Sequence, residues 1–152
     1  MTEQVDLRHI LLIENDQMVI SAFQDKLADL TEEFDLQIVS TPSSAHSYLE
    51  KKASCHRQGL PDLIIFDPEC FYEHSAHPTI ESLELVTKIK FMPRYRHIPI
   101  IIFTSLVTQG FVKACYRVKS NIHIPKPKTK EAIQSTIDSL LDFWLINSRL
   151  PN

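Results

Sequence analysis

The sequence predicts an α/β fold: a five-stranded parallel doubly wound sheet, (βα)5, with strand order 2-1-3-4-5. Three observations carry that prediction. Short apolar runs alternate along the chain with stretches of helical period. The runs are continuous rather than alternating, as expected of strands covered by helices on both faces. Each run also stops at a polar or charged stretch, where a parallel strand hands its chain to a loop. At 152 residues the chain is long enough for one domain with its own core.

The first run, His9-Ile10-Leu11-Leu12-Ile13, ends in Glu14-Asn15-Asp16. Residues 17 to 30 follow with Val19, Ile20, Phe23, Leu27 and Leu30 at spacings of three and four, the period of one helix face. Residues 36 to 40 read as the second strand. Thr41-Pro42 then offers an N-cap and a first-turn proline for a helix to about residue 52. The third strand, 62 to 66, ends at Asp67, and a polar stretch runs from Pro68 to about Thr79. A helix over 80 to 91 shows Ile80, Leu83, Leu85, Val86 and Ile89, and Met92-Pro93 closes it. The fourth strand, 98 to 103, ends at Thr104-Ser105. A helix over 107 to 119 and a short strand, 122 to 124, lead to Pro125-Lys126-Pro127. The last helix, 129 to 146, places Ile133, Ile137, Leu140, Leu141 and Trp144 on one stripe.

Composition narrows the function. With 2 Gly against 9 Pro, there is no glycine-rich loop to cradle nucleotide phosphates. The net charge of -3 shows no basic excess, so no nucleic-acid partner is expected. No apolar run approaches the roughly 18 residues of a membrane span, and the opening MTEQVDLRH is polar, so a cytoplasmic protein is expected. Cys55, Cys70 and Cys115 make no metal or disulfide pattern. Cys70, His74 and His77 form C-x3-H-x2-H without a nearby fourth ligand, and a solvated loop is expected there.

In a doubly wound sheet, ligands bind beyond the carboxyl ends of the strands. The residues there are Glu14, Asn15 and Asp16, then Asp67, then Thr104 and Ser105, then Lys126. Carboxylates with amide and carbonyl oxygens suit a hard divalent cation such as Mg²⁺. A carboxylate beside such a cation can accept a phosphoryl group. A hydroxyl and an ammonium opposite can bind its oxygens.

On the motifs ILLIEND, PDLIIFD, IPIIIFTS and IPKP, the chain resembles, over nearly its whole length, the CheY-like receiver domains of two-component response regulators, which share the flavodoxin-like sheet order. The resemblance implies phosphorylation at Asp67, with Thr104, Ser105, Lys126 and His123 binding the phosphoryl group and switching. It implies Mg²⁺ on Asp16, Asp67 and the Glu69 backbone carbonyl, with Asn15 reached through water. It implies a cis peptide between Lys126 and Pro127. The segments IKFMPRYRHIP and DFWLINSRLPN resemble those of small single-domain regulators paired with phytochromes. In those relatives the tail supports a dimer, which assigns that role to Phe143, Trp144, Leu145, Leu150 and Pro151. The receiver domain is expected over residues 1–146 and the tail over 147–152.

The pattern has departures. Asn15 stands where many receivers have Asp, His123 where Tyr or Phe is usual, and Pro68 directly follows the phosphoacceptor. The loop after Asp67 lacks the usual Gly. The functional expectation is a phosphoacceptor rather than an enzyme, with at most self-phosphotransfer and autodephosphorylation. Its partners would be a sensor histidine kinase, plausibly phytochrome-like, and a histidine phosphotransfer or other downstream protein. It would form a homodimer. The alternative is a degenerate receiver that binds or dimerises without phosphorylation.

Overall fold

The computed structural model describes residues 7–30, 34–54 and 60–147. Strands β1 (Arg8–Ile13), β2 (Phe34–Val39), β3 (Leu63–Phe66), β4 (Ile100–Thr104) and β5 (Ile122–Pro125) form a parallel sheet in the order β2-β1-β3-β4-β5, as expected. Helices α1 (Gln17–Asp29), α2 (Pro42–Ser54), α3 (Pro78–Phe91), α4 (Gln109–Arg117) and α5 (Lys130–Leu141) connect and flank the strands.

The strands are apolar on both sides because both faces are covered. Leu11, Ile13, Ile64, Phe66, Ile100 and Ile102 pack on Leu49 of α2, Leu85 and Ile89 of α3, and Phe111 of α4. Ile10, Leu12, Ile65, Ile101 and Phe103 point the other way, against Val19 and Phe23 of α1 and Ile133, Ile137 and Leu141 of α5. Burying each such side chain contributes roughly 1.5–3 kcal/mol, and this packing holds the strand ends in fixed register.

The helix starts follow side-chain chemistry. Asp16, Thr108 and Thr129 accept N–H bonds from Met18, Phe111 and Ala132, capping α1, α4 and α5. Thr41 accepts from Ser44 N at 3.1 Å at the head of α2. The scarcity of glycine has a visible consequence at the end of α4. Lys119 adopts the left-handed conformation with φ 72°. Lys119 N bonds Tyr116 O and Ser120 N bonds Cys115 O, the paired bonds that close a helix and usually place Gly at this position.

The structure differs from the sequence expectation in four places. The stretch after Asp67 is not simply loop: Pro68–Phe71 forms a 3₁₀ turn capped by Asp67, because Cys70 and Phe71 are both buried. Helix α3 starts at Pro78, where proline's fixed φ suits the first helical position. The last helix leaves α geometry at Asp142 and continues as a π-helical segment, Asp142–Asn147. Its wider turn rotates the apolar stripe, so Leu145 enters the core while Trp144 is only partly covered. The Lys126–Pro127 peptide is trans, since no described peptide is cis, which corrects the cis bond implied by the resemblance. Trans is the ordinary preference of an X–Pro bond by about 0.5–1 kcal/mol, and here Lys126 reaches its carboxylate partners from it.

Candidate functional site

The register places the strand ends together. Ile13 lies beside Phe66, and Asp67 N donates to Ile13 O at 2.9 Å. Thr104 lies beside Pro125, and Lys126 N donates to Thr104 O at 2.9 Å. Glu14, Asp67, Thr104 and Lys126 therefore come from four strand ends and meet at one edge of the sheet. Glu14, Asp67 and Thr104 are buried.

The Lys126 ammonium is the centre of this cluster. It donates to Asp67 Oδ2 in a short contact and to Glu14 Oε2 at 3.0 Å. Its side chain is 6 % exposed, and the ammonium lies 5.8 Å from the Phe103 ring centroid. Burial works against the ammonium, but the charges of Asp67 and Glu14 outweigh it and hold its pKa above the usual lysine value. The other Asp67 oxygen, Oδ1, accepts Glu69 N at 3.0 Å. Glu14 Oε1 accepts the backbone N–H groups of Asn15 and Asp16 at 3.1 and 3.0 Å.

Burial and then the Asp67 charge push the Glu14 carboxyl up to about 7, against the pull of Lys126. Burial and the Asp67 charge also raise Glu69. With its carboxylates ionised, the pocket carries more negative charge than a single ammonium balances, which adds to burial in holding the Glu14 carboxyl up. An oxygen-only donor set with excess negative charge fits a hard divalent cation. Among the described residues, no three His, Cys, Asp or Glu side chains form a ready metal cluster. Such a cation would depend on carboxylates together with backbone and amide oxygens.

Glu14 has a testable consequence. Its carboxyl is raised from 4.5 to about 7, so between those values the folded protein keeps a proton that the unfolded chain has released. Without divalent cations, stability should then fall as pH rises through that window, by about 3 kcal/mol at most. Glu14→Gln keeps the shape and removes the titration, so it should flatten the slope. Urea midpoints measured across the window decide this. Equal slopes in both proteins would place the titration elsewhere.

The remaining predicted residues divide clearly. Asn15 and Asp16 lie on the exposed side of the first turn, and Asp16 Oδ1 is used to cap α1 at 2.9 Å. Ser105 is exposed. Thr104 Oγ1 accepts Leu106 N at 3.3 Å, and His123 Nε2 lies 2.8 Å from Leu106 O. Thr104 and His123 therefore share one residue of the loop after β4. The His123 ring is turned inward, edge-on to Phe111. Phe143 is 57 % exposed and meets Trp144 edge-to-face. Leu145 is buried in the protein's own core and is not available to a dimer partner. Leu150 and Pro151 lie outside the described residues. Cys70 is fully buried, with its thiol pushed well up by that burial, and belongs to the core rather than to a metal site.

Sequence reasoning placed Glu14 at the carboxyl end of the first strand but gave it no role, assigning the metal to Asp16 instead. The available signal was position: Glu14 directly continues the strand, whereas Asp16 stands two residues later, where a helix cap belongs.

The parallel sheet in the order β2-β1-β3-β4-β5 is the fold also found in solved response-regulator receiver domains. No family model matches the chain. It is 23% identical over 142 residues to response regulator Rcp1 of Synechocystis, covering 93% of this chain and 92% of the relative. Among solved structures, it resembles the phosphorylated cyanobacterial phytochrome response regulator RcpA with a TM-score of 0.82 and 22% identity, over 96% of this chain and 99% of the other. The Mn²⁺-bound form of Rcp1 matches with a TM-score of 0.81 and 22% identity, over 95% and 99%. The resemblance read from the strand-end motifs is thereby borne out.

Proposed function

We propose that this protein is a two-component response regulator that accepts a phosphoryl group on Asp67 from a phytochrome-like sensor histidine kinase. The observation that carries this reading is the buried Lys126 ammonium joining Asp67 to Glu14. In the reaction, an Asp67 carboxylate oxygen attacks phosphorus and the bond from phosphorus to the donor's leaving atom breaks. Mg²⁺, when bound, supplies positive charge to the phosphoryl oxygens. Asp67, the Glu69 carbonyl and Asp16 would hold it, with Asn15 through water. Lys126 then follows the negative charge from the carboxylate to the phosphoryl oxygens.

Thr104 supports the output step. Its hydroxyl accepts Leu106 N and keeps its own proton to donate, so a phosphoryl oxygen that draws the hydroxyl toward Asp67 pulls on the Leu106 N–H bond. Leu106 O also meets the His123 ring, so the rearrangement reaches β5 and α4. Output is then a changed protein contact, to a phosphotransfer or other downstream protein, with a homodimer supported by the exposed Phe143 near the terminal segment. The similar RcpA structure is of a phosphorylated protein and the similar Rcp1 structure is of a Mn²⁺-bound form, which supports the metal-assisted reading.

Incubation with Mg²⁺ and acetyl phosphate should add one phosphoryl group to the wild type, read by intact mass, and none to Asp67→Asn. If the two proteins behave alike, the degenerate, phosphorylation-independent receiver is the better reading. The exposed amide at Asn15, in place of an acid, is the observation that favours that alternative.

A further inference from the structure

Away from the phosphoryl pocket, α2 and α3 enclose a groove of about 170 Å³. Leu49, Ile89, Met92 and Tyr95 supply its apolar lining. The groove is preformed: Tyr95 is buried and its hydroxyl donates to Leu49 O at 3.2 Å. Phe91 stands at the end of α3 with 76 % exposure, the highest among the large apolar side chains described. Isolated exposed apolar residues are ordinary, but the exposed Met92 lines a shaped cavity.

Charge distinguishes this place further. The protein carries a net charge of -3, yet residues 86 to 99 include Lys88, Lys90, Arg94, Arg96 and His97 and no acid. Lys90 is directed inward, donating to Ile98 O at 2.6 Å and Asn121 Oδ1 at 2.9 Å. Arg94 and Arg96 are exposed on the turn that carries Tyr95. Lys88, in the groove wall, lies 3.4 Å from His46 Nδ1 and 3.5 Å from Glu50 in exposed contacts that contribute little, so its ammonium can turn to another partner.

We propose that this groove docks an acidic amphipathic helix of a partner protein. One apolar side chain enters among Leu49, Ile89 and Met92, and carboxylates meet Lys88 and Arg96. A concave site for a single side chain suits a helix better than a flat lipid surface. Helix α3 has 14 residues, about 21 Å of rise, and the groove lies toward its far end from the phosphoryl pocket. Docking is therefore independent of the state of Asp67 and tethers the protein while its switch face remains free.

The test is amide chemical-shift mapping of the full chain against a synthetic Glu/Leu helical peptide, a Lys/Leu counterpart, and phosphatidylserine/phosphatidylcholine vesicles. The Glu/Leu peptide should produce saturable shifts confined to the groove, bind roughly tenfold or more tightly than the Lys/Leu peptide, and weaken as salt rises. Lys88→Glu with Arg96→Glu should weaken it about tenfold, with thermal midpoints confirming that the variant folds. Met92→Ala, at an exposed position in the lining, is a second variant expected to weaken it, and Asp67→Asn should leave it unchanged. No saturable groove shifts, equal affinity for both peptides, or binding to the vesicles alone would overturn the proposal.

Discussion

Lys126→Met should destabilise the protein by about 3–5 kcal/mol at neutral pH. The side chain is nearly enclosed and its ammonium is shared by two buried carboxylates. Methionine fills a similar volume but leaves Glu14 and Asp67 facing each other without a cation. Removing one member of a buried ionic group is costly because the others stay desolvated. The deficit should shrink on acidification. Glu14 already titrates near 7 with the lysine present, and without that positive charge it takes up a proton at still higher pH. Urea unfolding of both proteins at neutral and acidic pH measures the effect. A Lys126→Met protein as stable as the wild type at neutral pH would show that the three groups are not coupled as described. On the proposed function, the same variant should also lose the conformational response to acetyl phosphate, since no ammonium remains to follow the charge.

The parts of the fold governed by repeated local signals were legible in the sequence. Continuous apolar runs announced the strands, and Thr41-Pro42 announced the start of α2. The strand order followed because right-handed crossovers and covered sheet faces leave few alternatives. Asp67, Thr104 and Lys126 were legible because strand ends converge in this topology. Glu14 was harder to read. Two acids flank Asn15, and sequence alone does not say which one points down the sheet and which caps the helix. Tertiary contact decides: Glu14 gains an ammonium across the sheet from Lys126, while Asp16 gains only the local N–H of Met18. The π-helical ending was hidden for a related reason. A stripe of helical period predicts a continuing α-helix, but Arg8 donates to Leu145 O at 2.9 Å and Lys26 pairs with Asp142 at 2.9 Å. Both partners come from distant parts of the chain.

The departures from the receiver pattern are not independent. The usual glycine after the phosphoacceptor gives freedom to a loop beside the pocket. Here that freedom is replaced by a proline and by a 3₁₀ turn anchored from below. Asp67 carries two jobs as a result. Its Oδ1 caps the turn through Glu69 N, and its Oδ2 holds Lys126. A change at Asp67 Oδ1 is felt in the turn, and a change at Oδ2 is felt on β5. The same carboxylate thus links the most divergent segment to the residues that the family resemblance assigns to switching.

That linkage makes Phe71→Ala the second strong test. Phe71 is fully buried, and its ring lies 5.0 Å from that of Phe66, tilted by 52°. It packs in the cluster formed by β3, α2 and α3. Truncating such a side chain costs about 3–5 kcal/mol, the lost transfer energy plus the cavity left behind. For a protein of this size the melting midpoint should fall by roughly 10 °C. Tyr72, its neighbour, is 47 % exposed, and Tyr72→Ala should stay within about 0.5 kcal/mol. The contrast separates a turn anchored on the core from one held only by its own hydrogen bonds. If the anchor sets the position of Asp67, Phe71→Ala should also slow phosphoryl acceptance under conditions where it remains folded, while Tyr72→Ala does not. Unchanged melting in Phe71→Ala would mean that the turn contributes nothing to the core and that the placement of Asp67 rests on β3 alone.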